Sequence, residues 1–158
     1  MRLIPITILF ALALACAPAF IFGQSQQLPV VFLLGQDEAA YEKLSVDHPR
    51  NLLVISGNDT GKALNNWLEF IKSIQEHAET VKFDINGLKV FLHVFWNEDG
   101  TIRHIGYFVK PDSRNFKPEE LRAFFGTFTR SYKPKFTSDK KFSHYTSATF
   151  PTLIERKQ

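Results

Sequence analysis

His93 and His104 are the residues best placed to do chemistry in this 158-residue chain. Each stands in a run of alternating apolar residues, and the two runs meet at Asn97-Glu98-Asp99-Gly100. With a two- or four-residue loop, the imidazoles fall on adjacent strands of one sheet face. His144, in a third alternating run, is a further candidate for that neighbourhood. Three imidazoles are one donor set that holds a catalytic zinc ion. The spacing argues against it: no two of these histidines stand at i and i+4, and half-buried strand histidines ordinarily serve neighbouring hydrogen bonds. His93 and His104 are therefore ligand-face candidates, with no metal and no cofactor assigned.

Two other patterns fail on their own chemistry. Gly57-Asn58-Asp59-Thr60-Gly61-Lys62-Ala63 follows an apolar run and precedes a helical pattern, as a phosphate-binding loop would. Yet three residues separate its glycines where the motif needs four, Ala63 replaces the Mg²⁺-binding hydroxyl, and Asp59 sets a negative charge among the phosphates. The expected role is a helix cap by Asp59 or Thr60, with no nucleotide bound. Ser143, His144 and Ser147 provide hydroxyls and an imidazole, but no Gly-x-Ser-x-Gly elbow strains a serine into a nucleophile. No catalytic residue is assigned.

The elements that position these residues begin with the hairpin over residues 90–109. An Asp-Gly pair between alternating runs is a hairpin signal, because glycine accepts the positive φ of the connection. The favoured register gives Val90, Leu92, Val94 and Trp96 one face with Ile105, Tyr107 and Val109. Phe91, His93 and Phe95 then share the other with Ile102, His104, Gly106 and Phe108. A three-residue loop with a glycine bulge would instead oppose His104 to Val94, so the first register is preferred for its continuous apolar surface.

Helical periodicity places Leu64, Trp67, Leu68, Ile71, Ile74 and Ala78 on one stripe starting near Asp59. A second stripe of Leu121, Phe124, Phe125, Phe128 and Tyr132 starts at Pro118, which suits the first helical position. Residues 28–34 read as a strand, 37–44 as helical, 51–56 as a second short strand and 142–150 as the last strand. The fold class is α+β: a small, mostly antiparallel sheet with a central β-hairpin, covered by two amphipathic helices.

Arg2, the apolar residues 3–15 and the small residues after them have the layout of a secretory signal peptide, residues 1–23, cleaved after Ala19 or Gly23. Ala13-Leu14-Ala15-Cys16 also resembles a lipobox, which would tether the protein to a membrane through Cys16. The protein is expected to be exported, periplasmic or secreted, or alternatively a membrane-tethered lipoprotein. Cleavage beyond Cys16 removes the only cysteine, which excludes disulfides and thiol catalysis. A single domain over residues 28–158, with 16 Phe in the chain, must then hold itself by its core. Losing Arg2 leaves 18 basic against 16 acidic residues, about +2, too balanced to imply nucleic acid.

From residue 63 to 150 the order is helix, alternating strand, Asp99-Gly100 turn, strand, helix, basic loop and strand. With Val90, Leu92, Val94 and Trp96, then Ile102, Ile105 and Tyr107, then Phe116-Lys117-Pro118-Glu119-Glu120-Leu121, this resembles the C-terminal domain of TonB and its energy-transducer relatives. The chain departs from that family before its first helix and in the reduced Tyr132-Lys133-Pro134 ending of its second. The expectation is that it lacks their uncleaved anchor and proline-rich spacer, so energy transduction does not carry over. What the resemblance implies is the fold and a habit of binding a partner segment at a sheet edge.

The edge expected to bind is the last strand, with Phe142, His144, Thr146, Ala148 and Phe150, beside the basic loop residues Lys133, Lys135, Lys140 and Lys141. Proline at Ala148 is expected to remove a pairing N–H. The leading expectation is thus a non-catalytic envelope protein that binds an unidentified protein or peptide. A small-ligand or lipid-binding cone is the alternative, marked by an apolar cavity under Trp67 and Trp96, and a small envelope enzyme is the third.

Overall fold

A computed structural model describes residues 27–152. The segment read as a signal peptide, with Cys16 and both expected cleavage positions, lies outside the described residues. The fold is α+β, built on β3 (Lys89–Trp96) and β4 (Ile102–Val109), paired antiparallel with Val90 opposite Val109 and Val94 opposite Ile105. Val90, Leu92, Val94, Trp96, Ile105 and Tyr107 share the face that the sequence assigned to the core, and all are buried.

The turn reaches that register by another route. Asn97 N–H donates to Thr101 O at 2.9 Å and Gly100 N–H to Asn97 O at 3.0 Å, so the loop is the three-residue Glu98-Asp99-Gly100. Gly100 adopts the left-handed φ of +80°. Alone, this loop would oppose Val94 to His104. The register shifts between Phe95 and Trp96: Trp96 pairs with Ile102 but Phe95 with His104, and Arg103 is the extra residue. This bulge cancels the odd loop length. It also turns Ile102 into the core beside Trp96, not onto the His104 face as the sequence predicted.

Three further strands complete a sheet of order β1-β4-β3-β5-β2. β1 (Val31–Leu33) runs parallel to β4, β5 (Phe142–Thr149) antiparallel to β3, and β2 (Arg50–Asn51) parallel to β5. The apolar residues 51–56 do not continue as a strand. Asn51 Oδ1 accepts from Val54 N–H at 3.0 Å, and this cap starts the short helix α2 (Leu52–Ile55).

One sheet face carries α3 (Thr60–Val81) and α4 (Pro118–Ser131). Asp59 caps α3 by accepting from Lys62 N–H at 2.9 Å, which gives the glycine-containing loop a structural role. Lys117 makes no side-chain cap at α4, leaving Pro118, Glu119 and Glu120 to favour its start. The α3 stripe is rotated from the expected one: Phe70 is fully buried, whereas Leu64 is 54% exposed. Phe70 meets Trp96, Phe128 and Tyr132 at ring separations of 5.2, 5.7 and 5.5 Å, and Trp96 stacks on Phe142 at 5.1 Å. His77 of α3 reaches Thr127 and Ser131 of α4 at 2.9 and 3.1 Å, tying the helices together.

The opposite face is not bare, as two covering helices would leave it. α1 (Glu38–Val46) lies across part of it, over a second small core of Phe32, Leu44 and Phe95.

Candidate functional site

The edge of β5 follows from its ladder with β3. Phe150 N–H donates to Leu88 O at 2.9 Å, and backbone direction alternates along an antiparallel strand. The N–H groups of Ala148, Thr146 and His144 therefore also face β3. Those of Tyr145, Ser147 and Thr149 face outward. β2 pairs only with Phe142 and Ser143, so among the described residues no strand lies beyond the rest of β5. α2 packs against both β2 and β5 at that end.

This geometry divides the residues predicted for binding. Phe142, Ala148 and Phe150 are buried in the core, and His144 is half-buried with its ring 4.8 Å from Trp67. Thr146 is half-buried on the same face. The outward backbone belongs instead to the residues between them, of which Tyr145 is the most exposed, at 70%. Proline at Ala148 would break the β3–β5 ladder rather than a partner's bond, which corrects the sequence expectation. Lys133, Lys135 and Lys140 are exposed and Lys141 is half-buried, all before the strand begins. Their loop is folded against the hairpin turn: Ser138 N–H donates to Glu98 O at 2.9 Å, and Arg50 grips Asp139 through two bonds of 2.7 and 3.0 Å.

His93 and His104 do share the second face, and a third imidazole joins them from an unexpected place. His48 follows α1, and its ring lies 5.1 Å from that of Phe95, which in turn lies 4.0 Å from that of His93. His144 lies on the opposite face. All three imidazoles of this face are buried. His93 Nδ1 shares a 2.8 Å hydrogen bond with the Tyr41 hydroxyl of α1. Nδ1–H of His48 donates to Leu44 O at 2.7 Å and that of His104 to Pro29 O at 3.0 Å, because a carbonyl can only accept.

Burial disfavours the charged form of each ring. It pushes His93 down to about 4, with the positive fields of His144 and His48 adding to it. His48 is lowered by burial and by the fields of Arg103, Lys141 and His104, against the bond to Leu44 O. His104 is lowered by burial and by Arg103, against the bond to Pro29 O. His48 Nε2 is buried and has no hydrogen-bond partner among the described residues. No carboxylate among the described residues is within ion-pair distance of any histidine. No group of three His, Cys, Asp or Glu there is arranged to hold a metal ion.

Clefts of about 550 and 580 Å³ open at the surface, the first between Leu28, α1 and Arg103, the second between Leu34, Phe108 and Phe116. Neither is lined by Trp67 or Trp96, and the space beneath those rings is filled by Phe70 and Phe142. No helix among the described residues is long and apolar enough to cross a membrane. No protein-family model matches the chain, and no curated protein or solved structure is significantly similar to it.

Proposed function

We propose that this protein is a non-catalytic binding module of the cell envelope that captures an extended segment of a protein or peptide by adding it to β5. The observation that carries this reading is the outward row of backbone groups at Tyr145, Ser147 and Thr149, beyond the two residues that β2 covers. Main-chain bonds give such an interaction its affinity, and side chains beside the edge give it selectivity. The order α3, β3, β4, α4, β5, with β5 beside β3 and both helices on one face, supports a TonB C-terminal-like arrangement. The filled core beneath Trp67 and Trp96 speaks against a ligand-enclosing cone. The N-terminal sequence supports export, with or without a lipid on Cys16, and the mass of the mature N-terminus distinguishes those two forms.

The test starts by capturing envelope proteins on the mature chain and mapping the bound segment as a synthetic peptide. On binding, the amides of Tyr145, Ser147 and Thr149 should gain protection from hydrogen exchange. A peptide that binds while those amides stay unprotected would refute edge addition.

A further inference from the structure

We infer that α1 is an acid-released cover on the histidine face of the sheet: protons taken up by His48, His93 and His104 lift it and bare Phe95 beside rings already exposed there. α1 is a light element, nine residues long with Leu44 as its only buried residue. A helix of this length does not hold itself in water, so its docking decides whether it is formed at all. That docking consists of the Tyr41 bond to His93, edge contacts of Tyr41 with Phe32 and Phe95 at 6.2 and 6.3 Å, and Leu44 in the small second core. The joints at its ends are Gly35, at a φ of +88° with open space around it, and Pro49.

The charges beneath the cover are one-sided, and the bonds of His48 and His104 to backbone carbonyls only partly offset their burial. Nδ1 of His48 already donates to Leu44 O, so an added proton must go to Nε2, which is buried without a partner among the described residues. His104 is tied to Pro29 O in the same way and has Arg103 beside it on β4. Around His93 stand Tyr41 of α1, the Tyr145 ring of β5 at 5.7 Å, and the fields of His48 and His144. Lys141 adds its positive field to that of Arg103 at His48. The acids of α1 do not compensate: Asp37 is engaged as its cap, and Glu38, Glu42 and Asp47 are exposed and pair with none of the three rings. A buried imidazolium without a counter-charge is relieved by reaching water. Moving α1 is the least disruptive way to provide it, since β3 and β4 are held by the main core. The uncovered surface then continues into Phe91, Phe108 and Tyr145, which are 41%, 46% and 70% exposed with α1 in place.

Hydrogen exchange of the protein from pH 7.5 to 4.5, corrected for the intrinsic pH dependence of amide exchange, tests this directly. Protection over residues 38–47 should fall by about tenfold per pH unit for each imidazole that gains a proton on opening. Amides of α3 and β3 should keep theirs over the same range. The double variant His48→Gln, His93→Gln keeps polar side chains that do not titrate and should flatten the response of α1. Loss of α1 and α3 protection together, or an unchanged response in a folded double variant, would overturn the proposal. If the double variant does not fold, ring titrations in the unmodified protein decide: protonation of His48 and His93 at the pH where α1 opens supports the device, and rings still neutral there contradict it.

Discussion

Replacing Gly100 with alanine tests whether the hairpin turn and the basic loop are one packed unit. Gly100 sits at a φ of +80°, and a Cβ placed on it would collide with Phe136 O and lie 2.9 Å from Pro134 Cβ. The left-handed backbone alone costs an L-residue about 1–2 kcal/mol. The close neighbour is a backbone carbonyl, so relief requires the loop to leave the turn. Leaving breaks the Ser138 N–H bond to Glu98 O, a loss of about 1 kcal/mol. It also removes part of the Phe136 packing on Trp96 and Phe142, where the rings lie 5.7 and 5.8 Å apart, for about another 1 kcal/mol. Together these give a destabilisation of about 3–4 kcal/mol, read as a drop in the urea midpoint at unchanged slope. Gly126→Ala is the control: it lies within α4 with nothing within 4 Å of the added carbon, and should stabilise by about 0.5–1 kcal/mol. A Gly100→Ala protein within about 1 kcal/mol of the parent would refute the packing of loop on turn.

Phe70→Ala removes the ring shared by Trp67, Trp96, Phe128 and Tyr132 and should destabilise by about 3–5 kcal/mol in the same assay, against under 1 kcal/mol for the exposed Leu64→Ala. Stability should also depend on acid in a defined direction. His93 binds a proton near pH 6.5 when unfolded but only at about 4 when folded, so the unfolded chain holds more protons between those values. The contribution of this ring to stability should therefore be constant above pH 6.5 and be lost as pH drops toward 4, by about 3 kcal/mol at most. His93→Gln should remove that part of the slope, as measured by denaturation midpoints across pH. Ala148→Pro should unfold or strongly weaken the sheet, because its N–H faces β3, whereas Ser147→Pro has its missing donor on the open side and should fold.

Much of this architecture was legible because it is periodic. The hairpin faces, the α4 stripe and the alternation of β5 depend on steps of two, three and four residues. What escaped the sequence depends on cancellation or on distant partners. The three-residue loop and the Arg103 bulge each change the register by one, and their sum looks like an even loop from residues 90–95. Ile102, between the two irregularities, went to the other face for that reason. Asn51 ended a strand that Leu52, Leu53, Val54 and Ile55 favour by composition, because a local side-chain cap competes with a two-residue ladder. His48 carries no such periodic signal beside Pro49, since its burial comes from Phe95, far along the chain. The open edge likewise depends on β2, too short to show any alternation, so the sequence indicated the strand but not which of its backbone groups face outward.

Edge addition at β5 is tested most directly by measuring the affinity of the mapped partner peptide for the parent protein and for Ser147→Pro, with amide exchange in β3 confirming that the variant is folded. The predicted result is a loss of at least about tenfold in affinity, corresponding to one main-chain hydrogen bond and the strand geometry around it. Equal affinity in a folded Ser147→Pro protein would contradict the account.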